Sequence, residues 1–72
     1  MDNLLSRIKT DVESIYGFEV TIFTWYHIRV SDGDKRLDFY PTRYHKLDTG
    51  ERGDIYDKVD YLSLIHNYFL NG

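Results

Sequence analysis

His27, His45 and His66 are the side chains of this chain that change charge near neutral pH, so they are the first candidates for proton transfer or metal binding. Twelve Asp and Glu residues stand beside them as potential bases or hard ligands. Their spacing supports neither role. No two histidines form an H-E-x-x-H arrangement and no serine stands in an elbow motif. Asp32-Gly33-Asp34 lacks the alternating ligands and closing glutamate of a calcium loop. With no cysteine, thiol chemistry, a disulfide framework and cysteine-ligated zinc are excluded. The residue types therefore point to no enzyme, no metal and no other cofactor.

The large rings say more. Aromatic residues make up 17% of the chain, seven of them tyrosine, and tyrosine supplies wide contact area at low entropic cost. Phe23, Trp25, His27 and Tyr40 exceed what a purely solvated surface needs, and exposed rings in a group mark interfaces. With Arg29 and Tyr44 they form the candidate protein-contact set. The competing structural reading is that the rings are cross-strand pairs stiffening a small sheet, with Arg29 and Asp38 as an ordinary ion pair and several tyrosines roofing the core.

The elements that must carry these residues follow from periodicity. Leu4, Leu5, Ile8, Val12 and Ile15 recur at helical spacing, Asp2 or Asn3 can cap the start, and Gly17 is placed to end the helix. This predicts a helix over 3–16. From Phe18 the period becomes two, giving a first strand, a tight reversal within 23–26, and a second strand with Tyr26, Ile28 and Val30 on one face. Ser31-Asp32-Gly33-Asp34 is a hairpin turn. A third strand spans 36–40 with Leu37 and Phe39 inward, Pro41 closes it, and 44–47 can add a short fourth. Residues 49–53 read as a polar turn. From Ile55 a second helix carries the stripe Ile55, Val59, Leu62, Ile65 and Phe69, with Asp54 or Asp57 as cap and Asn71-Gly72 as stop.

A chain of 72 residues has room for one domain, and its 42% hydrophobic content supports one packed core. The expected fold is an α+β two-layer sandwich: helix, a three- or four-stranded antiparallel meander, helix. Both helices cover one sheet face. The other carries Glu19, Thr21, Phe23, His27, Arg29, Arg36, Asp38 and Tyr40, with Trp25 at its margin. No apolar run approaches a membrane span and the acidic start does not resemble a signal peptide, so a soluble protein not secreted by that route is expected.

Helix, strands, helix is also the element order of double-stranded RNA-binding domains, which makes a nucleic-acid module the alternative. Its contacts would be Arg29, Arg36, Arg43, Lys46 and Arg52. Charge disfavours it: the chain carries −3 overall, and even residues 29–52 set six bases against five acids. The second helix also opens with Asp54 and Asp57 rather than with lysines. DNA mimicry is disfavoured for the opposite reason, since 9 basic residues offset 12 acidic ones. Gly50-Glu51-Arg52-Gly53 matches a KH-type G-x-x-G loop and Arg52-Gly53-Asp54 an integrin-type tripeptide. Both read as the turn before the second helix.

Leu37-Asp38-Phe39-Tyr40-Pro41-Thr42, followed by Arg52-Gly53 ahead of a C-terminal apolar helix, resembles small accessory proteins of phages and prophages, in which a D-F/Y-W/Y-P-T stretch closes a strand. The likeness covers about residues 36–70. It departs after Pro41-Thr42, where Arg43-Tyr44-His45-Lys46 replaces a Thr-Gly-Lys-Trp-like continuation. The resemblance implies a cofactor-free protein acting in the bacterial cytoplasm that binds and blocks a host protein, restriction and CRISPR machinery included. Self-association through the open face or an edge strand is a third expectation.

Overall fold

The structure is a computed structural model that describes residues 4–71. Its order is α1 (Leu4–Asp11, continued through Val12–Tyr16 in wider π-type turns), β1 (Glu19–Thr24), β2 (His27–Ser31), β3 (Arg36–Phe39), β4 (Arg43–Lys46), β5 (Arg52–Asp54) and α2 (Lys58–Ile65, continued through His66–Leu70 in π-type turns). The five strands form one antiparallel sheet in the order β1-β2-β3-β4-β5. This is the expected α+β arrangement with one strand more than the sequence implied. The proposed caps Asp2 and Asn3, and Gly72, lie outside the described residues.

α1 ends where Gly17 adopts φ 72° and donates its N–H to the Val12 carbonyl at 2.9 Å, a left-handed cap that a side chain would strain. The π-type widening has a consequence for the stripe. Leu5, Ile8 and Val12 are buried as expected, but Ile15 turns outward and Tyr16 packs instead, its ring stacked on Phe18 at 5.3 Å. The Asp32 carboxylate holds the β2–β3 turn by accepting the N–H groups of Asp34 (2.9 Å) and Lys35 (2.8 Å).

Residues 52–54 correct the expected turn: they form β5, in register with β4 through Arg43–Asp54, Tyr44–Gly53 and His45–Arg52. Gly53 makes this pairing possible. A Cβ there would come within 2.5 Å of the Tyr44 ring, which lies across the glycine and shields its backbone. The second helix consequently begins at Lys58, not at Ile55. Asp57 caps it by accepting from the Asp60 N–H at 3.0 Å, while the Asp60 carboxylate accepts from the N–H groups of Asp57 and Tyr56.

That start rotates the expected stripe. Val59 is 70% exposed, and Tyr61, Ile65, Tyr68 and Phe69 face inward. Ile55 is buried from the connection ahead of the helix. Tyr61 and Tyr68 tolerate burial because each hydroxyl finds a carboxylate, Asp11 on α1 for Tyr61 and Asp48 in the β4–β5 loop for Tyr68. Burial and the neighbouring carboxylate raise both phenols, Tyr68 to about 12 and Tyr61 higher.

Both helices contribute to a single core with Ile28 and Val30 of β2 and Leu37 and Phe39 of β3. Full burial of each such side chain is worth about 2–3 kcal/mol. No helix among the described residues is long and apolar enough to cross a membrane. Among the described residues, no element of secondary structure covers the second face of the sheet.

Candidate functional site on the open sheet face

Alternation and register decide which side chains share the open face. Pairing sets Thr21 opposite Arg29, Arg29 opposite Asp38, Asp38 opposite His45, and His45 opposite Arg52, so one row crosses all five strands. A second row contains His27, Tyr40, Arg43 and Asp54, with Phe23 entering beside His27 at a β-bulge between Ile22 and Thr24.

The rings of the second row form a ladder. Phe23 meets His27 with centroids 4.8 Å apart, and His27 stacks on Tyr40 at 4.6 Å with planes 18° apart. Arg29 closes the group by placing its guanidinium over Phe23, 4.8 Å from the ring centroid. Stacked in this way the rings occupy one another's faces.

Asp38 locks the ladder from beneath. Only 3% of it is exposed although it lies on the uncovered side of the sheet, because its partners fold over it. Arg29 Nε and Nη2 donate to its two oxygens at 2.7 and 3.2 Å, and His27 Nε2 lies 2.8 Å from Oδ2. Burial pushes the Asp38 carboxyl upward, but the hydrogen bonds from Arg29 and His27 outweigh it and hold the group below the ordinary aspartate value. A carboxylate only accepts, so His27 donates to Asp38 from Nε2. Donating its own hydrogen bonds to Asp38 raises the Arg29 guanidinium above its ordinary value.

The candidate contact residues therefore separate. Phe23, His27, Arg29 and Tyr40 come together, with Trp25 75% exposed at the β1–β2 turn beside them, its ring set edge-on to Tyr26. Tyr44 does not belong to the group. Its register partners are Phe39 and Gly53, which puts it on the helix-covered face, packed against the core and bonded through its hydroxyl to Glu51 at 3.1 Å. The candidate nucleic-acid set is dispersed likewise. Arg29 is held by Asp38, and Lys46 lies on the helix side, paired with Glu51 at 2.9 Å and near the Tyr68 ring.

Arg36, Arg43 and Arg52 stay exposed. Arg43 and Arg52 line a cleft of about 390 Å³ with Tyr40, Tyr44 and His45. Sequence reasoning missed the place of His45 and Arg52 in the face, because Arg52 was read as part of a turn. The alternation of Arg43 and His45 against Tyr44 and Lys46 was the signal available.

As chemistry, the His27–Asp38 pair has the form of the orienting half of an acid–base dyad. No three His, Asp or Glu side chains among those residues converge on a metal position. What the face offers is a rigid aromatic edge with an arginine at its centre. Compared with family models, with curated proteins and with solved structures, the chain matches none.

Proposed function

We propose that this protein is a non-enzymatic binding module that blocks a host protein by covering it with the open sheet face, in the manner of a phage accessory protein acting in the bacterial cytoplasm against a defence system. The contact residues are Phe23, Trp25, His27, Arg29 and Tyr40. One observation carries the reading: the ladder Phe23–His27–Tyr40 is held in place by Asp38 and Arg29 and remains uncovered. Rings and an arginine fixed before contact lose little entropy on binding, which is what strong interface residues require. The phage attribution rests on the Asp38-Phe39-Tyr40-Pro41-Thr42 resemblance.

The alternative, a nucleic-acid module, is favoured by the cleft between Arg43, His45 and Arg52. Two features weigh against it. The ladder rings stack on each other and not outward, so they offer few free faces to bases, and three of the five candidate cations, Arg29, Arg43 and Lys46, are paired with carboxylates.

A tagged pull-down from bacterial lysate, with and without nuclease, separates these readings. A single host protein retained after nuclease treatment, and lost with the Trp25→Ala/Tyr40→Ala double variant, is the expected result. Recovery that vanishes with nuclease overturns it in favour of the nucleic-acid module.

A further inference from the structure

The two edges of the sheet are built differently. β5 is three residues long and presents Arg52 and Asp54, a short charged edge of the kind that resists pairing. β1 runs six residues, Glu-Val-Thr-Ile-Phe-Thr, with β-forming side chains, no lysine or proline, and Glu19 as its one charge. It pairs with β2 on one side and, among the described residues, with no strand on the other. Its side chains are exposed on both faces except Val20, which is half-buried against the core. Ile22 stands opposite the buried Ile28 on the helix side yet is 57% exposed, and Phe23 on the open side is 48% exposed. Beneath Ile22, a cleft of about 320 Å³ separates Thr24 and Trp25 from Leu5 and Lys9 of α1.

We propose that β1 pairs antiparallel with β1 of a second copy of this chain, about a two-fold axis at Thr21, to give one continuous ten-stranded sheet. The symmetry supplies the argument for a second copy over a foreign strand. A two-fold axis normal to the sheet preserves its faces, so inward residues meet inward ones and only even registers are allowed. Centred on Thr21, the pairing sets Val20 against Ile22 twice, covering the exposed Ile22 with an aliphatic neighbour. It also brings Glu19 of each copy to Phe23 of the other, where the Arg29 guanidinium already lies over the ring. The single charge on the strand thus meets a cation. The two Glu19 carboxylates stay four residues, or roughly 14 Å, apart along the strands. The bulge falls beyond Ile22, leaving the central pairs regular.

This inference stands independently of the blocking role, since the dimer keeps both open faces uncovered. Sedimentation equilibrium of the full chain, from micromolar to millimolar concentration, tests it. The expected result is a monomer–dimer equilibrium that Ile22→Lys weakens by about tenfold or more through loss of both Val20–Ile22 pairs, with an unchanged circular dichroism spectrum because Ile22 is exposed. Glu19→Arg, which sets a cation against Arg29 of the second copy, should weaken it several-fold without touching the core. A wild-type chain that stays monomeric at millimolar concentration overturns the proposal, as does a dimer that survives Ile22→Lys.

Discussion

His27 and Asp38 sit 2.8 Å apart on neighbouring strands, and the imidazole so fixed is the middle rung of the ring ladder. The carboxylate therefore governs both the electrostatics and the shape of the open face. Asp38→Asn keeps the volume but removes the charge that Arg29 and His27 share. It should destabilise the fold by about 2 kcal/mol, the scale of hydrogen bonds to a charged group, read from urea unfolding at neutral pH.

The same pair sets an acid dependence. Because folding depresses the Asp38 carboxyl, its stabilisation is present above the unfolded value near about 3.9 and is lost as pH falls through the lower folded value. Unfolding free energy measured from pH 5 downward should decline more steeply in the wild type than in Asp38→Asn. Equal slopes would remove Asp38 from the account.

At the alkaline end the buried phenols act with the opposite sense. Tyr61 and Tyr68 ionise later in the fold than in the unfolded chain, so their contribution is complete below about pH 10 and is lost as pH rises toward 12 and beyond. Tyrosinate absorbance should show Tyr61 and Tyr68 withheld until the fold opens, with Tyr44 also titrating later than an ordinary phenol. Tyr61→Phe and Tyr68→Phe should each remove one of them and flatten the alkaline loss of stability.

Gly53→Ala tests the β4–β5 pairing. The added methyl group forces the Tyr44 ring off its place and away from Glu51, at an expected cost of about 1–2 kcal/mol. In Tyr44→Ala the same glycine substitution should cost little, so a double-mutant cycle on thermal unfolding should show strong coupling. Additive effects would mean that the ring and the glycine do not meet.

Removal of the cap at Asp57 by alanine should cost about 1 kcal/mol, since the Asp60 N–H loses its acceptor and α2 frays at its start. Helical signal in circular dichroism and the unfolding midpoint report it together.

The parts of this fold legible in the sequence are those where one physical signal acts unopposed. Gly17 after an apolar stripe, Asp32-Gly33 between alternating strands, and Leu37 and Phe39 inward on β3 each emerged from periodicity and turn chemistry, and all three agree with the structure. β5 was hidden because Arg52-Gly53-Asp54 has the composition of a turn, and its strand character comes from Tyr44 across the sheet. The inner face of α2 was misjudged for a related reason. Counting aliphatic residues favoured Val59, whereas Tyr61 and Tyr68 become core residues once Asp11 and Asp48, distant in sequence, accept hydrogen bonds from their hydroxyls. At the open face, alternation placed Phe23, His27, Arg29 and Tyr40 together. Tyr44 entered the contact set as one of several clustered tyrosines, and nothing local reveals that the turn at Pro41-Thr42 sets it opposite Phe39 and so onto the covered side.

A sheet whose spatial order repeats its chain order bears on how the molecule folds in time. Every strand pairs with its neighbour in sequence, so hairpins can close one after another with small loop entropy and the sheet needs no distant partner. The bond from Tyr61 on α2 to Asp11 on α1 spans 50 residues and joins the two ends of the chain. Such a contact rewards the chain late, after the hairpins exist. Loosening it with Tyr61→Phe should leave the refolding rate almost unchanged and accelerate unfolding, so the clasp between the helices governs how long the native state lasts more than how fast it forms.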